Sequence, residues 1–293
     1  MSNNNTPLST QIERNLRDLE ILEGAEFPKP EATRIIAVAN QKGGVGKTTS
    51  TVNLAAGLAL GGLTVLVVDA DAQGNASSAL GVPHSAGTPS TYDVIIGGAR
   101  VEDVVQQCPD IDGILVSPAT IDLSGAEIEL VDVPHREYRL NVALREYVAT
   151  HRDVDIVLID CPPSLGLVTL NVMVAANDVL IPIQAEYYAL EGLSQLWNTV
   201  ERIGVDLNPG LRVSGMLLTM ADKRTRLSEE VEDEVRTHFP DQTFQTVIPR
   251  SVRISEAPSY GQTVITYDAR NNGAIAYRKA ALELCRRLAD SGE

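Results

Sequence analysis

A doubly wound α/β fold built on a mostly parallel sheet is the architecture this 293-residue sequence predicts. Three observations predict it. Short runs rich in Val, Ile and Leu, apolar on both faces, alternate with longer segments of helical period. The first run passes directly into a glycine-rich loop and then a helix. Two later runs carry aspartates at their ends, on the sheet edge where open α/β folds bind ligands.

The elements follow in order. Residues 1–33 are polar, with one amphipathic stretch from Ile12 to Leu22 and then Pro28 and Pro30. They read as a partly flexible N-terminal extension with at most one helix, and residues 34–293 as one domain. The apolar runs are RIIAVAN (34–40), TVLVVDA (64–70), GILVS (113–117), DIVLID (155–160), DVLIPIQ (178–184), RVSGMLLTM (212–220) and a short TVIP (246–249). Each is expected to be a strand. Helices are expected over Lys47–Leu60, His135–Thr150, Tyr187–Ile203 and Leu227–Phe239. The last, Asn271–Asp290, places Tyr277, Ala281, Leu284, Cys285 and Leu288 on one face and should close over the sheet.

Composition narrows the class. Hydrophobic residues make up 44% and charged residues 22%, as in a folded protein with a sizeable core rather than a disordered or fibrous chain. No apolar run approaches 18 residues, and the start, MSNNNTPLSTQIER, lacks the basic and apolar regions of a signal peptide. Three scattered cysteines, Cys108, Cys161 and Cys285, suggest neither a disulfide framework nor a paired metal site. The expectation is a soluble intracellular protein.

The glycine-rich segment is KGGVGKTT, Lys42 to Thr49. It is a variant of the phosphate-binding loop G-x-x-x-x-G-K-[ST], with Gln41 or Lys42 where an opening glycine is usual. Gly43, Gly44 and Gly46, with Val45 between them, let the backbone wrap phosphate oxygens and turn its N–H groups inward. The start of the following helix adds its dipole. Lys47 can reach the β and γ phosphates, and the Thr48 hydroxyl is placed for Mg²⁺. Asp160, ending DIVLID, suits a Walker-B carboxylate that holds Mg²⁺ through water. Asp71, beyond the second strand, can orient an attacking water, or it can be a turn or helix-cap aspartate. Lys42 is either a solvated lysine or a second charge for phosphate, on this or another subunit's nucleotide.

Net charge is −15, which at first argues against a polyanionic partner. The distribution is uneven: residues 212–293 carry 12 basic and 12 acidic side chains, so the whole excess lies earlier. Lys223, Arg224 and Arg226 cluster in this balanced part, as do Arg250 and Arg253. By themselves they are as readily solvated loop residues.

KGGVGKTT, DADAQGN (69–75) and DCPPSLG (160–166) together resemble the ParA/MinD class of deviant Walker ATPases. IPIQAEYYALEGLSQL (181–196), IPRSVRISEAPSYGQTV (248–264) and YDARNNGA (267–274) narrow the resemblance to chromosomal ParA proteins of the Soj type. It covers roughly residues 34–290. The resemblance implies ATP and Mg²⁺ as cofactors, slow ATP hydrolysis, an ATP-dependent sandwich homodimer, and binding to double-stranded DNA without sequence preference. It implies a ParB-type activator that stimulates hydrolysis and releases the protein from DNA, and a cytoplasmic, nucleoid-associated location. Lys42 would reach the partner subunit's phosphates, Lys47 would be the Walker lysine, Thr48 the Mg²⁺ ligand and Thr49 a further phosphate contact. Asp71 would position the hydrolytic water and Asp160 would be the Walker-B residue. Met220 and Pro249 match positions that hold adenine. Arg224 and Arg253 match DNA contacts, with Arg226, Arg250 and Lys223 as weaker candidates. Ala72 replaces the family's usual proline, which frees a φ angle beside Asp71.

Other readings belong to the same superfamily. A MinD-like ATPase would act at a membrane through a basic amphipathic C-terminal helix, but here ALELCRRLADSGE ends in acid. An iron–sulfur carrier needs paired cysteines, and Cys161 has no neighbour in sequence to complete a pair. A regulatory ATPase of secretion or polar localisation would differ only in its partner.

Overall fold

The computed structural model describes residues 7–186, 189–222 and 224–290. In chain order the elements are α1 (Pro7–Glu23), β1 (Arg34–Val38), α2 (Lys47–Leu60), β2 (Val65–Asp69), α3 (Asn75–Ala79), α4 (Thr91–Ile96), α5 (Val101–Val104), β3 (Gln106–Gln107) and β4 (Ile114–Ser117). They continue with α6 (Leu123–Glu129), α7 (Arg139–Thr150), β5 (Ile156–Asp160), α8 (Leu167–Ala175), β6 (Asp178–Gln184), α9 (Ala189–Asp206) and β7 (Arg212–Thr219). The last are α10 (Arg226–His238), α11 (Val252–Glu256), α12 (Val264–Tyr267) and α13 (Asn272–Asp290).

One seven-stranded sheet runs β3-β4-β2-β5-β1-β6-β7, with every pair parallel except β3 and β4. Its central strands are buried on both faces because each face carries a helical layer, which is why their sequences are continuously apolar. On one face α2 and α13 pack with Ile36, Val38, Leu158 and Leu180. On the other, α7, α8 and α9 cover Ile35, Val68, Ile159 and Ile181. The register sets the site: Val38 pairs with Asp160, and Asp160 with Asp69, so the ends of β1, β5 and β2 lie level.

α13 closes the first layer as expected, with Tyr277, Ala281, Leu284, Cys285 and Leu288 all buried. It lies against α2 so closely that a Cβ on Gly57 would stand 2.8 Å from the Ala281 Cβ. Within the extension, α1 is docked on α13. Asn15 donates to the Arg270 carbonyl at 3.1 Å and the Asn272 side chain at 2.6 Å, and Asp18 pairs with Lys279 at 2.7 Å. Leu22 and Phe27 are buried behind it.

Several expected elements differ. TVIP is not a strand: Pro249 makes only an isolated bridge to Ala221. The bridge uses the Ile248 carbonyl and the Arg250 N–H, and it does not extend back because the N–H groups of Gln245 and Thr246 go to the Glu283 carboxylate at 2.7 and 3.0 Å. The helix expected from His135 begins as a 3-10 turn at Arg136–Tyr138, with His135 at φ 53, and becomes α-helical only at Arg139. Tyr187, expected to open a helix, lies outside the described residues, as do residues 1–6 and the acidic end from 291 on.

Candidate active site

The loop between β1 and α2 is pinned at both ends. Asn40 donates to the Pro182 carbonyl at 2.8 Å and accepts the Lys42 N–H at 3.0 Å, which turns the chain out of the sheet. On the far side, Thr219 of β7 donates to the Val45 carbonyl at 2.8 Å. Gly44 at φ 76 and Gly46 at φ 89 are left-handed, a conformation that only glycine adopts without strain. Gly46 is the N-cap of α2 and makes no side-chain cap, so the first N–H groups of the helix are available to an anion.

Lys47 is buried beneath this loop, with Nζ 3.4 Å from the Lys42 carbonyl. Burial lowers its pKa, and the charges of Asp160 and Asp71 oppose that shift. A cation held dry beside a row of N–H groups is arranged for phosphate. Asp160 is fully buried and accepts Thr48 Oγ1 at 2.7 Å and Thr51 Oγ1 at 3.2 Å. Burial, reinforced by the charge of Asp69, pushes its carboxyl up to about 8. A hydroxyl and a carboxylate so close supply the hard oxygen donors that suit Mg²⁺.

Asp69 is anchored instead of free. Its Oδ2 accepts both the N–H and the hydroxyl of Ser77, at 2.8 and 2.7 Å, and burial raises it to about 6. Asp71 lies at the level of the loop, half-buried, with Oδ1 accepting the Gln73 N–H at 3.0 Å. It closes a turn here, and its charge is felt at Lys47 and Asp160. Ala72 makes the same turn without proline and packs against the neighbouring core.

A cavity of about 470 Å³ adjoins the loop, lined by Gly46, Thr49, Met220, Pro249, Ile254 and Tyr277, among others. Met220 sits at φ 53, rare for a residue with a side chain, which marks a special position at the end of β7. Met220 and Pro249 thus line one cavity with Gly46 and Thr49 of the loop. Thr219, Ser251 and Ile254, which also line the cavity, are not legible in any short motif.

Lys42 is half-buried, with Nζ 3.8 Å from Glu186. Glu186 also faces Arg250 at 3.5 Å and accepts Gln184 Nε2 at 2.7 Å. Its position two residues past β6, on the ligand-binding edge, is the signal that could have found it. Arg224 is exposed and paired with Asp222 at 2.7 Å. Arg253 faces Glu256 at 3.0 Å and Asp268 at 3.6 Å. Arg226 is exposed at the start of α10, and Lys223 lies outside the described residues. Arg224 and Arg250 share one groove, whereas Arg253 sits on α11 beside the cavity. Burial and Asp160 push the Cys161 thiol well up, as for a packed thiol rather than a reactive one.

A parallel sheet with glycine loop, buried lysine, hydroxyl and strand-end aspartate defines a P-loop nucleoside triphosphatase fold. Comparison with known proteins narrows this. A family described as "AAA domain" matches residues 33–213. The Bacillus subtilis sporulation initiation inhibitor protein Soj is 50% identical over 259 residues, covering 88% of this chain and 99% of its own. The Caulobacter vibrioides chromosome partitioning protein ParA is 49% identical over 257 residues, covering 88% and 96%. A Mycobacterium smegmatis structure described as cobyrinic acid a,c-diamide synthase, with bound ADP and magnesium, aligns with TM-score 0.73 and 37% identity, over 85% of this chain and 92% of that one. The chain belongs to the ParA/Soj family of chromosome-partitioning ATPases.

Proposed function

We propose that this protein hydrolyses ATP to drive chromosome partitioning. Its ATP-bound homodimer binds double-stranded DNA without sequence preference and leaves it when a ParB-type activator stimulates hydrolysis. The observation that carries the reading is continuity: Pro249 and Arg250 line both the cavity beside the phosphate loop and the groove that holds Arg224. A nucleotide therefore lies against the segment that presents the basic residues.

Residues 34–293 form the ATPase domain and residues 1–33 its extension. The loop N–H groups of residues 43–49 and Lys47 hold the phosphates, with Met220 and Pro249 against the base. Thr48 and Asp160 hold Mg²⁺, which neutralises phosphate charge when bound. Asp71 orients the water that attacks the γ-phosphorus while ADP leaves. In this structure it is tied to Gln73, and that supports slow turnover that awaits a partner. Lys42 reaches the partner subunit's nucleotide. Arg224 and Arg253, with Arg226, Arg250 and Lys223, supply phosphate contacts to DNA, and dimerisation doubles them, so ATP controls binding by assembling the surface. DNA binding places the protein on the nucleoid in the cytoplasm. Among the described residues no helix is long and apolar enough to cross a membrane, and α13 commits its apolar face to the core rather than to a bilayer.

The test is retention on random-sequence duplex DNA with ATP, ADP or no nucleotide, with Asp71→Ala holding the ATP state and anionic liposomes in parallel. Retention on DNA with ATP alone, lost at higher salt, is the expected result. Binding to liposomes without DNA binding would move the protein to a membrane role.

A further inference from the structure

A groove of about 890 Å³ runs between α1 and the segment that carries the basic candidates. From α1 it is lined by Gln11, Arg14, Asn15 and Asp18, spaced i, i+3, i+4 and i+7, so one helix face forms the wall. Arg224 and Arg250 stand in the opposite wall, and Lys279 comes from α13.

The charges along it are unequal. Each acidic residue of the lining has a cation of its own: Asp18 pairs with Lys279 at 2.7 Å, Asp222 with Arg224 at 2.7 Å, and Glu232 with Arg236 at 2.9 Å. Arg14 is exposed and has no ion-pair partner among the described residues. Arg250 faces Glu186 at 3.5 Å, outside the lining, and its charge also bears on Asp222. Within the lining Arg14, Arg224, Arg250 and Lys279 stand against Asp18, Asp222 and Glu232, an excess of one positive charge with cations on both walls. This holds although α1 as a whole carries Glu13, Asp18, Glu20 and Glu23 against Arg14 and Arg17. Glu13, Glu20 and Glu23 do not line the groove. The wall is also fixed, since Asn15 ties α1 to Arg270 and Asn272, so a ligand need not order it.

We propose that α1 is part of the DNA-binding surface, with Arg14 holding the phosphate backbone from the side opposite Arg224 and Arg250. The inference rests on the DNA-binding reading above. A rim of arginines on one side touches phosphates singly, whereas cations on two walls neutralise neighbouring phosphates together and release more counterions.

The helix supplies its own control. Arg17 is three residues further along and outside the groove, so Arg14→Glu and Arg17→Glu change net charge equally. The experiment measures retention of the full chain on random-sequence duplex DNA with ATP across a salt series, for these two variants, Arg14→Lys and Arg253→Glu. Arg14→Glu is expected to weaken retention and to lower the slope of log K against log salt by about 1 per arginine lost. Arg14→Lys restores the slope, and Arg17→Glu leaves it unchanged. Equal behaviour of Arg14→Glu and Arg17→Glu overturns the inference. If Arg253→Glu weakens retention and Arg14→Glu does not, DNA binding stands and α1 has no part in it. If the unmodified chain is not retained with ATP, both fall.

Discussion

Asp160 receives two hydroxyls, Thr48 and Thr51, three residues apart on α2. Thr48 and Asp160 were legible because a phosphate loop and a strand-end aspartate are local patterns. Thr51 was not, since a threonine inside a helix carries no signal until β5 is known to lie beside it. Asn40 and Glu186 were hidden for the same reason: their partners come from β6 and the phosphate loop. Lys47→Ala is expected to weaken ATP binding by about 1.5–3 kcal/mol, the worth of a charged hydrogen bond, or roughly 10- to 150-fold. Equilibrium titration with a fluorescent ATP analogue checks it. Asp71→Ala should bind ATP as the unmodified chain does while phosphate release stops, and continued turnover would place the water elsewhere. Asp69 gives a pH prediction. Its carboxyl, raised by burial from the usual carboxylate range to about 6, keeps a proton in the folded state that the unfolded chain has released. Its contribution to stability therefore falls as pH rises through that window. The Tm of the unmodified chain should fall relative to that of Asp69→Asn from pH 4 to pH 6.5, and a relative rise would refute the assignment.

At the scale of elements, the strands with long apolar runs were readable because burial on both faces removes polar residues from them. β3, α3, α5, α11 and α12 were not, since two to five residues span too little of a period to show one. TVIP looked like a strand by composition, but the Glu283 carboxylate of α13 takes the Thr246 N–H and leaves Pro249 in an isolated bridge to Ala221. Contact between α2 and α13 offers a test where two effects compete. Gly57→Val gains a few tenths of a kcal/mol in helix propensity. It also forces a branched side chain against Ala281 and the Tyr277 carbonyl, where even a first Cβ has no room. Overpacking at about 1–3 kcal/mol wins, so the midpoint of urea unfolding should fall.

For the whole molecule, the order of strands and helices was largely present in the sequence, whereas the docking of the extension was not. An amphipathic stretch shows that a helix has an apolar face but not what covers it. Here only its end, Leu19 and Leu22, packs into the core while Ile12 and Leu16 stay exposed, and Phe27 lies against Gly61, where an added Cβ would be 2.4 Å from the ring. Phe27→Ala should cost about 3–5 kcal/mol, read by denaturant unfolding, although the residue lies outside the ATPase motifs. The uneven charge has a molecular consequence too: the acidic excess lies in the first 211 residues, so a polyanion would meet least repulsion at the balanced remainder and the Arg14 wall of α1 that adjoins it.

The contact of α2 with α13 also fixes an order of events during synthesis. The helix that caps the phosphate loop is among the first elements to leave the ribosome, and the surface it packs on, Tyr277 to Leu288, is among the last. Until α13 is made, α2 rests on β1, β2 and β5 with its Gly57 face uncovered. The cavity beside the loop therefore gains its Tyr277 wall only when the last helix has been made.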